Sequence, residues 1–317
     1  MKPVEIASVK KYYGDIKAVD GVSFKVNEGE VFALLGPNGA GKTTAIEIME
    51  GLRKRDAGDV KILGLDPWEN GTDLHKRIGV IPQNFTFFEE ASPKEAISYY
   101  SDLFNVDADS DEILKEVLLE ESAGVLFKNL SGGQKQKMGL ALSLVNSPEL
   151  YFLDEPTTGL DPNARRAVWE VIRGLKEKGK TVILTTHYLE EAEILSDRVA
   201  IMDHGKIVAI GTPDEIIKTH GSGERLEIQG SEELADYIRN NTELKVDYNK
   251  AKGLVSVALN EKIDALAALA AAEQSGLDWG NIQTRHDSLE DVFVHLVSGT
   301  VDEHGEITVK GNSNQQK

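Results

Sequence analysis

The chain has 317 residues, 40% of them hydrophobic, which is room for a main domain and a smaller one, each with its own core. Its 35 basic against 53 acidic residues give a net charge of -18, which argues against a nucleic acid partner held through its phosphates and against anionic lipid. No cysteine is present, excluding disulfides, thiolate metal sites and cysteine nucleophiles, and no stretch approaches the roughly 18 consecutive apolar residues of a membrane span, so the chain is expected to be soluble.

Residues 1 to about 35 are predicted to form short alternating strands, VEIASV, VSFKV and EVFALLG, separated by turn residues Gly14, Gly21, Asn27 and Gly29. EVFALLG runs directly into 36-GPNGAGKTT-44, and TTAIEIMEGL beyond it has helical spacing at Ile46, Met49 and Leu52, closing near Gly51. From about 85 to 145 the pattern is helical, with Ser92, Pro93 and Glu95 marking a helix start before AISYYSDLF and with DEILKEVLLEE following. LYFLDEP and TVILTTH are unbroken apolar runs of strand length on either side of the helix RRAVWEVIRGLKEKG, whose Val168, Val171, Ile172 and Leu175 share one face. That order indicates an α/β fold with a parallel sheet covered on both sides. RVAIMD and KIVAIGT form a hairpin about His204 and Gly205.

The polar stretch 219-THGSGE-224 places a boundary near residue 220. Beyond it RLEIQ, SEELADYIRNN, LKVDY, LVSVAL, KIDALAALAAAEQSG and WGNIQTRH read as strand, helix, strand, strand, helix, strand, a βαββαβ sandwich over 221–299 that ends in the helix SLEDVFVHLVSG. Residues 300–317 are polar and expected to be disordered.

Gly36, Gly41, Lys42 and Thr43 satisfy G-x-x-x-x-G-K-[ST] between a predicted strand and a predicted helix. In this setting the glycines let backbone N–H groups turn onto phosphate oxygens, Lys42 neutralises the β and γ phosphates, and Thr43 can ligate Mg²⁺. LYFLDEP delivers Asp154 and Glu155 at the end of a buried strand, where Asp154 can hold Mg²⁺ and Glu155 can polarise an attacking water. A lone acidic pair after a strand is commonly just a turn; a phosphate loop in the same sheet changes that balance. The run 130-LSGGQ-134 heads an apolar helix, so Ser131, Gly132 and Gly133 make a second anion-ready helix start with no assigned ligand, or an ordinary helix cap.

These motifs, in this order, resemble the nucleotide-binding subunit of ATP-binding cassette (ABC) transporters, a resemblance spanning about residues 3–220. It implies a P-loop NTPase fold with an antiparallel β subdomain and a helical subdomain at about 85–145, and Mg-ATP hydrolysis. Gly36, Pro37, Asn38, Gly39, Ala40, Gly41, Lys42, Thr43 and Thr44 would bind ATP as the Walker A loop; Asp154 would be the Walker B aspartate and Glu155 the catalytic base. Leu130, Ser131, Gly132, Gly133 and Gln134 would contact ATP held by a second subunit, two chains closing head to tail as a homodimer. Tyr13 matches the aromatic residue that stacks on adenine, with Tyr12 the competing choice; Gln83 matches the loop glutamine that approaches Mg²⁺, His187 the switch histidine at the γ phosphate, and Asp161 the loop that crosses to the other subunit. The resemblance also implies a separate transmembrane permease as partner and a place on the cytoplasmic face of the cell membrane, with export the expected direction and a soluble, non-transport ATPase the alternative.

Lys137 stands where the family more often has arginine, and 288-SLEDVF-293 is similar to a motif near the end of ATPase subunits of drug and polysaccharide exporters, or is a plain capped helix. In 85-FTFFEE-90, Phe87 or Phe88 is expected either to meet the membrane partner or to pack under the helical subdomain. His75, His204, His220, His286, His295 and His304 have no paired metal-ligand spacing and are read as structural residues.

Overall fold

The computed structural model describes residues 2–297 except 222, 251 and 260, and the backbone of 299–301 and 307–309. The chain divides into two compact units, one built on Met1–Pro213 and one on Asp214–Leu296.

The first unit begins with β1 (Val4–Tyr13) and β2 (Ile16–Val26), an antiparallel pair. Gly21 was predicted as a turn but lies inside β2: at φ 80° it is the extra residue where the register steps from Val9↔Val22 to Lys10↔Asp20, a bulge that a side chain would strain. β3 (Val31–Leu35) is buried along its whole length and leads into α1 (Lys42–Met49). Leu52 lies beyond the end of that helix and is 64% exposed, so it is not part of the buried face. β4 (Ala57–Ile62) pairs with β1, completing a three-stranded antiparallel sheet of order β2-β1-β4. The rings of Phe24 and Phe32 stack with centroids 4.9 Å apart, Phe24 from that sheet and Phe32 from β3, inside one apolar cluster that also holds Ile46 and Met49 of α1. Full burial of side chains of this size contributes about 1.5–3 kcal/mol each, so this cluster anchors α1 along its buried face.

After α2 (Gly71–His75) and β5 (Ile78–Ile81), the chain forms the helical segment: α3 (Pro93–Phe104), α4 (Ser110–Glu116) and α5 (Gly132–Leu144). Ser92 and Glu95 close a capping box at the start of α3, with Pro93 in its first turn, as the sequence predicts. Then come β6 (Leu150–Asp154), α6 (Pro162–Glu177), β7 (Thr181–Thr186), α7 (Leu189–Leu195), β8 (Arg198–Asp203) and β9 (Lys206–Gly211). The second sheet has the order β5-β6-β7-β3-β8-β9, parallel except for β9. α6 buries Val168, Val171, Ile172 and Leu175, the predicted face.

The second unit holds most of α8 (Pro213–His220), then β10 (Glu224–Gln229), α9 (Glu232–Asn241), β11 (Val246–Asn249), β12 (Leu254–Leu259), α10 (Lys262–Gln274), β13 (Ile282–His286) and α11 (Leu289–Leu296). Its strands lie β11-β12-β10-β13, all antiparallel, in the element order βαββαβ followed by α11. A short antiparallel pair, β14 (Gly299–Val301) and β15 (Ile307–Val309), falls within the stretch expected to be disordered; the rest of that stretch lies outside the described residues.

Candidate nucleotide site

The site is made where β3, β6 and β7 end side by side. Leu35 pairs with Thr186 and Asp154 with Thr185, so the segments following all three strands emerge at one edge, the carboxyl end of a parallel sheet where ligands bind. A cavity of about 880 Å³ opens there, walled by Tyr13, Asn38, Gly39, Gly41, Lys42, Thr43, Thr44, Gln83 and Glu155 together with Ile16, Lys17, His204 and Lys206.

The loop's glycines are needed where the backbone closes on itself. A Cβ on Gly36 would stand 2.3 Å from the Met202 carbonyl oxygen, and one on Gly41, at φ 104°, would stand 2.0 Å from that of Ala18. Ala40 closes the turn by donating its N–H to Pro37 (3.1 Å). No side chain caps α1, so its first N–H groups are left for an anion, with Thr43 and Thr44 in the first turn. Lys42 is 4% exposed; its ammonium donates to the carbonyl oxygens of Gly36 (2.8 Å) and Pro37 (3.2 Å) and lies 3.4 Å from the carboxylate of Glu155. Burial lowers its pKa, against the pull of Glu155.

Asp154 and Glu155 are both buried and are held by Thr185, a residue that no motif identified. The Thr185 hydroxyl donates to Asp154 and accepts the N–H of Glu155 (2.9 Å). The Thr43 hydroxyl is 3.5 Å from the same Asp154 oxygen. Burial raises the Asp154 pKa, and its hydrogen bonds with Thr185 and Thr43 oppose this. Glu155 sits at φ 49°, in the left-handed region that a side chain enters at a cost. Its Oε2 accepts from the Gln83 amide (3.0 Å) and the Thr158 hydroxyl (3.1 Å), and Nδ1 of His187 lies 3.2 Å away. Burial acts to raise the Glu155 pKa, but His187 and Lys42 outweigh it and hold the carboxyl at about 2.

Tyr13 stands on the cavity wall with Lys11 and Arg53 near its ring (5.6 and 5.4 Å), while the Tyr12 hydroxyl is bound to Asp20 (2.7 Å). Of the histidines read as structural, His204 is largely exposed and lines the cavity. It is brought there because Gly205 donates to Ala40 (3.0 Å) and accepts from Asp20 (2.8 Å), pairings across the fold that leave no local sequence signal.

Leu130 to Gln134 do not reach this cavity. Ser131 caps α5 in a closed box with Gln134 (2.8 and 3.3 Å), Leu130 is buried, and Ser131 and Gly132 face solvent. A Cβ on Gly133 would meet the Cβ of Ala164 at 2.7 Å. Asp161 caps α6, accepting from the N–H groups of Asn163 (2.9 Å) and Ala164 (3.0 Å). The Lys137 ammonium reaches the Leu118 carbonyl.

The sequence matches the ABC transporter family over residues 19–158. It is 35% identical over 303 residues to a daunorubicin resistance ATP-binding protein of Streptomyces coeruleorubidus, covering 92% of this chain and 95% of that one. A Nod factor export ATP-binding protein of Rhizobium etli is 37% identical over 310 residues, covering 93% of each. Among solved structures, an ATP-binding subunit of an ABC transporter superposes with a TM-score of 0.62 at 30% identity over 69% of this chain and 93% of that one, and a nucleotide-free ATP-binding cassette gives 0.61 at 27% identity over 69% and 94%. Phosphate loop, buried acidic pair and matching relatives along nearly the whole chain agree that it belongs to the ABC transporter family, as an ATPase of its ATP-binding type.

Proposed function

We propose that the chain hydrolyses Mg-ATP in a head-to-tail dimer and so drives a separate transmembrane permease, working as an exporter at the cytoplasmic face of the membrane. The observation that carries this reading is the convergence of Lys42, Gln83 and His187 on one buried carboxylate, Glu155, beside a phosphate loop. The names of relatives that export Nod factor or confer drug resistance support the direction.

ATP phosphates would lie against the N–H groups of residues 38–44, with Tyr13 against the adenine. Lys42 now satisfies its charge on Glu155 and two carbonyl oxygens; turning it toward the phosphates removes a cation from beside Glu155 and makes that carboxylate a stronger base. Glu155 then orients and deprotonates the attacking water, and His187 donates toward the γ phosphate. Magnesium ion is held through one or two protein groups plus substrate phosphates, which suits Thr43 and Asp154 with Gln83 nearby; when bound it would neutralise charge on the transferred phosphoryl group. Among the described residues no group of three His, Asp or Glu side chains could hold a metal ion alone.

Ser131 and Gly132 are exposed outside their own chain's cavity, which supports their use on the nucleotide of a second copy. Phe85 packs inward, edge-on to Phe127 (5.8 Å), and Phe87 leans on Tyr100, but Phe88 is 65% exposed beside the exposed Tyr99 and Leu103. This apolar patch next to Gln83 is the docking point we assign to the permease. No helix among the described residues is long and apolar enough to cross a membrane.

The test is to purify the tagged chain from gently solubilised membranes of its own source and identify co-purifying proteins by mass spectrometry. A multispanning protein is expected; ribosomal or chromosomal proteins in its place would overturn the transport reading and leave the ATPase standing.

A further inference from the structure

Glu191 is fully buried and belongs to no motif. Its Oε1 accepts from the Thr157 hydroxyl (2.9 Å) and from the indole N–H of Trp169 (3.0 Å), while Oε2 has no hydrogen-bond partner. A carboxyl group is a costly way to fill a core, and an apolar side chain of similar size would serve packing better. What the acid supplies is directional bonding to two other segments. Thr157 lies two residues after Glu155, and Glu191 lies four residues, about one helical turn, after His187. Both spans are stiff: Thr158 donates its N–H back to the Glu155 carbonyl (3.2 Å), and Tyr188 donates its N–H to the Thr186 hydroxyl (2.9 Å). Trp169 adds a third fixed point on α6, the helix that Asp161 caps.

We propose that Glu191 is a positioning residue for hydrolysis: by tying α7 to the Thr157 turn and to α6 it sets the approach of His187 to Glu155. This rests on the ATPase reading of the site. Burial raises the Glu191 pKa, and its hydrogen bonds oppose this. A glutamine has the same shape and keeps an acceptor for Thr157 and Trp169. Leucine fills the space and accepts nothing, and aspartate is one methylene too short to reach both donors.

The experiment measures ATP hydrolysis, equilibrium ATP affinity and melting temperature for Glu191→Gln, Glu191→Leu, Glu191→Asp and Thr157→Val, with a double-mutant cycle against His187→Ala. Misplacing a reacting group by about 1 Å costs up to about 100-fold, so Glu191→Leu is expected to lower kcat by at least about tenfold. Its ATP affinity is expected to stay within about twofold, since phosphate loop contacts are untouched, and Glu191→Gln to recover activity to within about threefold of wild type. Adding Glu191→Leu to His187→Ala should cost nothing further, because the tie acts through the histidine. The proposal is overturned if folded Glu191→Leu hydrolyses ATP like wild type, or if the two substitutions multiply. Should the leucine variant not fold, Thr157→Val removes one of the bonds from outside Glu191 and must show the same dependence on His187. A wild-type chain that hydrolyses no ATP would sink the underlying ATPase reading, an outcome distinct from an active wild type indifferent to these changes.

Discussion

Replacing Glu155 by Gln tests the chemical assignment with little change of shape. The amide oxygen still accepts from Gln83 and Thr158, which now donate over 3.0 and 3.1 Å, and Lys42 keeps its bonds to Gly36 and Pro37 at 2.8 and 3.2 Å. ATP binding should therefore survive. What is lost is the one ionised carboxylate positioned to take a proton from water, and removal of a general base costs about 100-fold to 10,000-fold in rate, which is about 3–5 kcal/mol of transition-state stabilisation. Single-turnover hydrolysis at saturating ATP should fall by that factor, equilibrium nucleotide binding should remain, and ATP should shift the variant to a dimer on a sizing column because the closed state no longer decays. A rate within threefold of wild type would remove Glu155 from the role of base, and with it the claim that Lys42 leaving its side raises its basicity.

Lys42→Ala deletes a cation that is 4% exposed and faces the loop's own carbonyl oxygens, so nucleotide binding or hydrolysis should be lost, as read by calorimetry and phosphate release. Gly133→Val forces a side chain into Ala164, where even a Cβ would stand 2.7 Å away; hydrolysis should collapse while ATP binding by the isolated chain persists, since Leu130 to Gln134 lie outside its cavity. Phe88→Ser removes an exposed ring, so it should leave melting temperature and basal hydrolysis unchanged but weaken permease co-purification; unchanged co-purification would refute that docking point. Glu50, at the end of α1, has its pKa raised by burial, with Asp154 adding to it, from 4.5 to about 8. The folded state therefore holds a proton that the unfolded chain releases near 4.5, so this group's contribution is fully favourable below that pH and is lost as pH rises toward about 8. The melting temperature of Glu50→Gln relative to wild type should accordingly climb across that window and level off above it; a pH-independent difference would contradict the shift.

The fold could be read in the sequence wherever one segment carried its own pattern. β3, β6 and β7 are buried on both faces and so appear as unbroken apolar runs, and α6 shows its buried stripe as Val168, Val171, Ile172 and Leu175. β4 went unread because only Val60 and Ile62 of it are buried and Gly58, at φ 87°, interrupts it. Gly21 misled for a related reason: a glycine forced by a bulge and a glycine forced by a turn look alike until the partner strand is known.

The site divides along the same line. Residues proposed to face phosphate come from short loops with fixed spacing, so Lys42, Thr43, Asp154 and Glu155 could be proposed from sequence. Residues that hold those residues in place come from elsewhere and are chemically ordinary: Thr185 is a strand threonine until Asp154 is beside it, and Glu191 is one of three acidic residues among positions 190–193 until Thr157 and Trp169 donate to it. The segment Leu130 to Gln134 shows a further step of this dependence. Gly133 is close-packed on Ala164, and Ala164 lies in the turn that Asp161 caps, so Leu130 to Gln134 and Asp161 form one stiff edge of the unit. An edge built this way cannot reach its own chain's cavity by small loop motions. It delivers the helix start and Asp161 together to whatever surface meets it, which is the arrangement two identical chains need if each is to complete the other's nucleotide site.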